Sequence, residues 1–583
     1  MITLKEEIFK GLPASKGISI GKPFIYKAVA PGSKDGSNEV VSPKKEVDEF
    51  NQAIEQSKKE LNKIFNLAKE KLDEKNLKIF EAQLAFLNDD ILNKKVIERV
   101  RKEEKSAYQV YSEEINYIEN SLISSHDEDL RERVFDIEDI KSRVLRNMLK
   151  KKLVSKIDEN SIVIARNLTP ADTILFSNRK LLGFATDLGG TNSHVAIIAR
   201  SINVPAVVGM SDISDHIKPE DFLIIDGYKG MVIKNPTPNT LKRYKTQIKK
   251  NEAFEKTLIE LKKLPNRTND GKDIKLLVNL EFNKEIDYIL THIGCGVGLY
   301  RTEHLFLEME DFPTEEQQYR QYKMMADRLY PYEVTIRTFD IGGDKLLPET
   351  QKEVNPFLGW RGIRVSLDRE DIFLSQLRAI LRASKKGNVK IMFPMITSLE
   401  EVLQIKKLIN KAKNELRSKN ILFENKTKIG IMIEVPSAVL IADALAKEVD
   451  FFSIGTNDLV QYILAVARDS NLVSDLYQIF HPAVLRAIDV LVKSAERNNI
   501  ELSVCGEMAG DILGSLLLIG LGVNELSVET TSYLRVKRLI RSINYSYAQE
   551  IASKTLTLDT ETEIREYLTK SFEKNIKDNQ LVN

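Results

Sequence analysis

The chain has 583 residues, which is enough for three or four domains with separate cores. Its 86 basic and 85 acidic side chains leave a net charge of +1, a balance that gives no general reason to expect nucleic-acid binding. The first ten residues mix charged with apolar positions, and no run of about 18 apolar residues occurs. We therefore expect a cytoplasmic protein without membrane insertion. The two cysteines, Cys295 and Cys505, are too few for a disulfide framework.

A short β-type run at residues 17–21 precedes a long region with helical spacing. Ser42 and Pro43 have the pattern of a helix start, and charged amphipathic helices are predicted from there to about Lys151. Short β-type runs between turn residues follow at 161–165, 183–186, 206–208, 222–225 and 231–233. These patterns predict a compact α/β domain. If the run at 17–21 belongs to the same sheet, the helical region is an insertion, and the expected bounds are then 1–24 and 149–235 for the α/β domain and 25–148 for the helical insert.

Residues 189–200 (GGTNSHVAIIAR) place a histidine behind two glycines at the start of a predicted helix. Glycines allow tight turns and close approach to a ligand, and a helix start attracts anions through its free N–H groups and dipole. Asn192 or Ser193 is the expected helix cap. His194 is thus a candidate nucleophile for a phosphoryl group, and Arg200 can supply charge. The structural alternative is a histidine that only forms hydrogen bonds.

A predicted linker helix at 236–265 leads to a region in which apolar runs alternate with helical patterns. Eight such runs occur, at 274–280, 297–301, 334–339, 390–395, 429–434, 451–455, 502–505 and 525–528. Eight βα units predict a TIM barrel, which we place at 266–575, followed by a disordered tail at 576–583.

Polar side chains stand at the carboxyl ends of these runs, where the active sites of TIM barrels lie. The set comprises Asn279, Arg301, Arg337, Glu434, Asn457, Asp458 and Cys505. Arginines suit bidentate recognition of phosphate, and two separated carboxylates suit a magnesium ion that keeps several waters. Each residue alone has an ordinary structural interpretation, such as a surface arginine or a small core cysteine. Their convergence predicts a mouth for a phosphorylated anion with a divalent metal.

Six segments together resemble the Enzyme I family of the phosphoenolpyruvate-dependent sugar phosphotransferase system, over nearly the whole chain. Residues 189–200 and 450–468 are similar to the two motifs of the wider phosphoenolpyruvate-utilising group. The segments specific to Enzyme I are 299–303 (LYRTE), 337–345 (RTFDIGGDK), 355–361 (NPFLGWR) and 505–510 (CGEMAG).

The resemblance implies a role for each matching residue. His194 corresponds to the phosphorylated histidine, and Cys505 to the acid that protonates the enolate carbon. Glu434 and Asp458 correspond to Mg²⁺ ligands. Arg301 and Arg337 correspond to the two phosphate-binding arginines, and Arg361 is close to them. The full set of positions that correspond to substrate-binding groups is Arg301, Arg337, Arg361, Asn457 and Arg468.

The resemblance also implies a fold, a reaction and partners. The fold is a swivelling phosphohistidine α/β domain with an inserted helical bundle, followed by a (β/α)8 barrel. The reaction transfers phosphate from phosphoenolpyruvate to His194, releasing pyruvate, and then to the small carrier HPr, the first step of sugar uptake. The insert at 25–148 corresponds to the HPr-docking domain, and the family is homodimeric through the barrel.

Two alternatives follow from the same residues. A pyruvate phosphate dikinase or phosphoenolpyruvate synthase shares the histidine and barrel domains, but it needs an additional ATP-binding domain for which no glycine-rich loop or spare length exists here. The second alternative is a non-catalytic regulatory phosphocarrier. Loss of barrel residues such as Arg337 or Cys505 would have favoured it, but these residues are present.

Overall fold

A computed structural model describes residues 5–26, 42–69, 74–103, 105–123, 128–150, 159–177, 179–190, 193–307, 312–342, 355–468 and 473–575. The predicted tail at 576–583 lies outside these ranges, as do Thr191 and Asn192 of the glycine-flanked segment. The chain divides into two compact units, Met1–Lys250 and Asn251–Asn583. Within the described ranges, no helix combines the length and apolar character needed to cross a membrane.

The first unit combines a mixed sheet with a group of helices. Its strands are β1 (Glu7–Lys10), β2 (Leu12–Ser15), β3 (Ile18–Tyr26), β4 (Ser161–Ala165), β5 (Gly183–Thr186), β6 (Ala206–Val208), β7 (Leu223–Asp226) and β8 (Met231–Lys234). Its helices are α1 (Pro43–Lys69), α2 (Glu74–Leu87), α3 (Asp90–Glu103), α4 (Ala107–Ile123), α5 (Glu128–Met148), α6 (Pro170–Ser177), α7 (His194–Ser201) and α8 (Ile213–His216).

The sheet follows the order β1-β8-β7-β3-β4-β5-β6-β2. Strands β1 and β2 lie at opposite edges, although only Gly11 separates them in sequence. The N–H of Gly11 donates to the carbonyl of Gly230 at 2.8 Å, and a Cβ at Gly11 would lie 2.7 Å from the carbonyl oxygen of Val208. The two edges therefore meet at a glycine that has no room for a side chain, so the sheet curls back on itself.

Helices α1 to α5 occupy the connection between β3 and β4, as the sequence predicts for a helical insert. Strand β3 extends to Tyr26, two residues beyond the predicted end of the first α/β segment at 24. Ala171 and Ile174 of α6 and Ile198 of α7 belong to the same buried cluster as the apolar faces of the insert helices. This shared core explains why the insert and the sheet form one compact unit.

Helix α9 (Pro238–Glu260) follows the last strand of the first unit, at the place of the predicted linker helix. Near its start, Tyr244 packs with Ile224 and Ile233 of the sheet. Phe254 and Leu258 belong to the core of the second unit. The boundary between the two units thus falls within one continuous helix.

The second unit alternates strands with helices. Its strands are β9 (Lys275–Leu280), β10 (Val297–Tyr300), β11 (Val334–Arg337), β12 (Val389–Phe393), β13 (Ile429–Ile433), β14 (Phe451–Ile454), β15 (Glu501–Val504) and β16 (Glu525–Val528). Its helices are α10 (Ile286–Tyr288), α11 (His304–Leu307), α12 (Glu315–Leu329), α13 (Ile363–Asp368), α14 (Glu370–Ala383), α15 (Leu399–Ser418), α16 (Pro436–Leu440), α17 (Ala442–Ala446), α18 (Thr456–Leu464), α19 (Pro482–Asn498), α20 (Ile512–Leu521), α21 (Tyr533–Ser542), α22 (Tyr545–Thr555) and α23 (Glu561–Asn575).

Strands β9 to β16 form a closed barrel in which every neighbouring pair is parallel. This confirms the predicted TIM barrel. Six of the eight strands end one or two residues earlier than the apolar runs suggest; β11, for example, ends at Arg337 rather than at Phe339. The barrel interior holds a buried cluster of Leu299, Met392, Met432, Phe451 and Cys505. Because all strands are parallel, their carboxyl ends open onto one face, which we call the mouth.

Candidate functional site

His194 is the first residue of α7. Ser193 caps the helix, since its side chain accepts from the N–H of Ala196 at 3.4 Å. Gly189 has φ +108°, a conformation that side chains rarely adopt, and a Cβ at Gly190 would have no atom of the described residues within 4 Å. The tight turn before the histidine therefore requires glycine at 189, while the space beside 190 is open to a ligand.

Asp136 of helix α5 faces the imidazole of His194. Its Oδ1 lies 3.7 Å from Nδ1 of the histidine, whose side chain is 35% exposed. A carboxylate on the Nδ1 side favours the tautomer with its proton on that nitrogen, in which the lone pair of the ring is on Nε2. Arg200, predicted as a source of charge, uses Nη1 to donate to the carbonyl of Ala14 at 3.0 Å.

Arg337 lies at the end of β11 and is buried. Its Nη2 donates to Glu303 at 3.0 Å, and its Nη1 lies 3.3 Å from Asp340 Oδ2. Burial lowers its pKa, but the carboxylates of Glu303, Asp340 and Glu434 outweigh this, so the net direction is upward. Among the described residues, Nε of Arg337 has no hydrogen-bond partner despite its burial. A permanently charged group with one unused donor lies at the mouth.

The guanidinium of Arg361 forms hydrogen bonds with three side chains at the mouth. Its Nε and Nη2 each donate at 3.0 Å to the carboxylate of Asp340, in a bidentate pair. Nη2 also donates to Asp458 at 2.7 Å, and Nη1 to the hydroxyl of Tyr462 at 3.2 Å. The Tyr462 hydroxyl itself donates to the carbonyl of Phe357 at 2.6 Å. The guanidinium is thereby fixed beside a carboxylate from the first turn of α18.

Glu434 follows β13 directly and is buried. Its Oε1 accepts from the N–H of Met395 at 2.6 Å, and a Cβ at Gly455 would lie 2.8 Å from its Oε2. Burial, followed by the nearby Asp458 and Asp340, raises the pKa of Glu434 to about 8. A neighbouring cation would relieve this crowding of negative charge.

Cys505 follows β15 and points into the barrel interior. The hydroxyl of Ser453 donates to its sulfur at 3.3 Å. The amide of Asn279 donates to the carbonyl of Cys505 at 3.0 Å and accepts from Ser527 at 2.7 Å. Burial raises the pKa of the Cys505 thiol. The neutral thiol is thus the stable form at neutral pH.

We expect both cysteines to resist iodoacetamide at pH 8 in the folded protein. Burial raises the pKa of Cys505, and it raises that of Cys295 to about 12, so little thiolate of either residue is present at pH 8. Alkylation in denaturant at the same pH should be faster by roughly tenfold or more. Mass spectrometry of the two peptides measures both rates. Equal rates in folded and unfolded protein would refute the raised pKa of Cys505.

Three further sequence-predicted residues lie at the rim of the mouth. Arg301 follows β10, and its Nη1 lies 4.0 Å from Glu281 Oε2. Asn457 and Arg468 both donate to one oxygen of Glu507, at 3.0 and 3.1 Å. All the predicted barrel residues therefore lie at the carboxyl ends of strands or in the segments that follow them.

Sequence reasoning missed several residues that hold this set in place: Asp136, Glu303, Asp340, Tyr462 and Glu507. All of these except Asp136 lie inside the motifs given above, so the motifs themselves carried a signal. Asp136 lies in the helical insert, where charges are interpreted as a solvated face, and nothing in the sequence distinguishes it. His481, also without an assigned role, caps α19 by accepting from the N–H of Ala483 at 3.2 Å.

Three family models match consecutive parts of the chain. They describe the N-terminal part of PEP-utilising enzymes at residues 10–133, their mobile domain at 157–230, and their PEP-binding domain at 255–545. A solution structure of an Enzyme I protein covers 42% of this chain and 99% of its own, at 36% identity and a TM-score of 0.38.

Curated relatives match nearly the whole chain. The phosphoenolpyruvate-protein phosphotransferase of Staphylococcus carnosus is 38% identical over 97% of this chain and 99% of its own length. The protein of that name from Haemophilus influenzae is 39% identical over 96% and 98%, respectively. Such identity across both units leaves no substantial part of the chain unmatched, and the chain belongs to the phosphoenolpyruvate-protein phosphotransferase family.

Proposed function

We propose that this protein transfers the phosphoryl group of phosphoenolpyruvate to its own His194, releasing pyruvate, and then passes it to the histidine of the carrier HPr. The observation that carries the proposal is the mouth of the barrel. Arg337 and Arg361 lie there with the carboxylates of Glu434 and Asp458 and the thiol of Cys505, in a chain of this family.

Recognition of the substrate anion falls to the arginines. Arg337 is charged at every physiological pH, and within the described ranges its buried Nε has no hydrogen-bond partner, which supports a role in binding the substrate phosphate. Arg301, directly after β10, and Arg361, in the connection between β11 and α13, add charge, and Asn457 and Arg468 offer N–H donors at the rim. Phosphoryl transfer depends mainly on such positioning and charge neutralisation.

A divalent cation fits the two carboxylates. Within the described ranges, no group of three or more His, Cys, Asp or Glu side chains is arranged to hold a metal. Mg²⁺ commonly binds one or two carboxylates and completes its shell with water and substrate phosphate, so Glu434 and Asp458 would be sufficient. The raised pKa of buried Glu434 supports this fit. When bound, Mg²⁺ would neutralise charge on the substrate and on the leaving enolate.

In the transfer step, residues of this chain account for the bond that forms, the bond that breaks and the proton that moves. The neutral Nε2 of His194 forms a bond to phosphorus while the bond between phosphorus and the enol oxygen breaks. Asp136 stabilises the proton that stays on Nδ1. The enolate takes a proton at its terminal carbon from the Cys505 thiol and becomes pyruvate, and solvent then restores the thiol. The raised pKa of Cys505 keeps that proton available.

The remaining parts of the chain have proposed roles that follow the family. The α/β domain at 1–24 and 149–235 presents His194, and the helical insert at 25–148 docks HPr. Helix 236–265 links them to the barrel at 266–575, which forms a homodimer. We place the protein in the cytoplasm, where HPr and phosphoenolpyruvate are available.

Incubation of the purified protein with ³²P-labelled phosphoenolpyruvate and magnesium, without ATP, tests the function. We expect one acid-labile label per chain, on His194, together with an equal amount of pyruvate. The label should move to HPr when HPr is added. A parallel incubation with labelled ATP tests the dikinase alternative. Labelling by ATP alone, with none from phosphoenolpyruvate, would exclude the proposed function.

A further inference from the structure

Glu507 contacts Asn457 through both its backbone and its side chain. The N–H of Glu507 donates to Asn457 Oδ1 at 2.8 Å, and its Oε1 accepts from Asn457 Nδ2 at 3.0 Å. The side-chain amide of Asn457 is therefore held by two hydrogen bonds to Glu507, one at its oxygen and one at its nitrogen. Its oxygen is occupied, and the second N–H of its Nδ2 is the group it can still offer. In this orientation Asn457 is a donor, which suits an anion and does not suit a metal.

The same carboxylate oxygen holds Arg468. Arg468 Nη1 donates to Glu507 Oε1 at 3.1 Å, and the backbone N–H of Arg468 donates to Gln461 at 3.2 Å. The side chain of Glu507 is 62% exposed, so it stands at the rim rather than inside the mouth. One carboxylate thus connects two donors that follow β14 to the segment that follows β15.

Gly506 makes this arrangement possible. A Cβ at position 506 would lie 1.9 Å from Thr456 Oγ1 and 2.6 Å from the Thr456 backbone nitrogen. Because no side chain intervenes, the turn after Cys505 lies directly against the first turn of α18. The N–H of Glu507 can reach Asn457 only because of this close approach.

We infer that Glu507 is a positioning residue, which orients Asn457 and Arg468 so that both donate to the carboxylate end of phosphoenolpyruvate. The inference rests on the proposed function and assigns the rim formed by these three residues to the substrate anion. Glu507 itself touches no reacting atom. Its effect is on affinity, because two flexible donors that are already oriented lose less freedom when the substrate binds.

The experiment compares Glu507→Ala and Glu507→Gln with a matched control, Glu566→Ala. Glu566 is also a 62% exposed carboxylate in a 3.1 Å ion pair of the second unit, but its partner is Lys570 of α23. KM and kcat for phosphoenolpyruvate are measured with magnesium and HPr in excess. Phosphoenolpyruvate affinity is measured separately by calorimetry, with each variant combined with His194→Ala so that no transfer occurs.

We expect Glu507→Ala to raise KM and the calorimetric Kd by about tenfold while kcat changes less than about twofold, since the side chain of Glu507 orients groups that act on substrate binding. Glu507→Gln should return KM to within about threefold of wild type, because its amide oxygen accepts the same bonds. Phosphorylation of His194 in reverse, from phospho-HPr, should be unchanged in both variants, as should every parameter of Glu566→Ala.

The outcomes separate this inference from the function on which it rests. A wild type that binds phosphoenolpyruvate but does not transfer phosphate defeats the function, and the calorimetric comparison still decides the role of Glu507. Normal transfer by the wild type with an unchanged or lower KM in Glu507→Ala overturns the positioning role alone. A wild type that neither binds nor transfers overturns both.

Discussion

Replacement of His194 by alanine is expected to abolish labelling of the protein by phosphoenolpyruvate and by phospho-HPr. The phosphoryl group needs a nitrogen nucleophile, and an open space lies beside the turn that carries this histidine. The helix start and the Asp136 carboxylate act on the imidazole and cannot replace it. Acid-labile ³²P on the intact chain, measured after gel filtration, reports the result.

His216→Ala is the matched control for that variant. His216 lies in the same unit, is 50% exposed at the side chain, and has a carboxylate neighbour, Asp212, at 3.2 Å. It follows no glycine pair, so its removal should leave labelling at the wild-type level. Stoichiometric label on the His194→Ala chain would show that another residue carries the phosphate.

The second large effect is expected for Glu434→Gln. Transfer from phosphoenolpyruvate should fall by about 10³-fold or more, because the variant loses an anionic group at the centre of the charge network. The amide keeps an oxygen for the N–H of Met395, so the local shape is preserved. Transfer from phospho-HPr to His194 should continue at the wild-type rate, since that half-reaction does not use the barrel. Rapid quench of the two half-reactions measures both rates.

The melting temperature of Glu434→Gln shows whether a loss of transfer could come from unfolding. The pKa of Glu434 is raised to about 8, so the folded protein holds this proton more tightly than the unfolded chain does. Its contribution to stability is complete below its unfolded pKa and is lost as pH rises toward 8. Glutamine is neutral at every pH, so the melting temperature of Glu434→Gln at pH 8, without magnesium, should equal or exceed that of the wild type.

Glu525→Gln serves as the control for removal of a buried carboxylate. Burial also raises the pKa of Glu525, but this residue begins β16 and pairs with Lys275, at the end of the barrel opposite the mouth. Forward transfer by this variant should stay close to wild type. If Glu434→Gln slowed both half-reactions, or if Glu525→Gln lost forward transfer equally, the assignment of Glu434 to the substrate site would be wrong.

Local patterns in the amino-acid sequence were sufficient to predict the barrel and the location of its mouth. Apolar runs of strand length, separated by helical patterns, indicate βα units, and parallel strands must place their ends on one face. Arg337, Glu434 and Cys505 follow from this rule because each stands at the end of a run. His194 is predicted as a candidate site residue in the same way, since two glycines and a capping serine are local signals.

Which charges face one another depends instead on packing between distant segments. Arg361 and Asp458 are 97 residues apart, and Glu507 and Asn457 are 50 apart. Periodicity assigns a residue to a face of a helix or strand, but the direction of a side chain across a loop is set by the other elements that pack against it. The two hydrogen bonds between Glu507 and Asn457 form because the first turn of α18 packs directly against Gly506, which has no side chain. Asp136 reaches His194 because the insert helices and α7 share one core, and that core forms only when distant segments pack together.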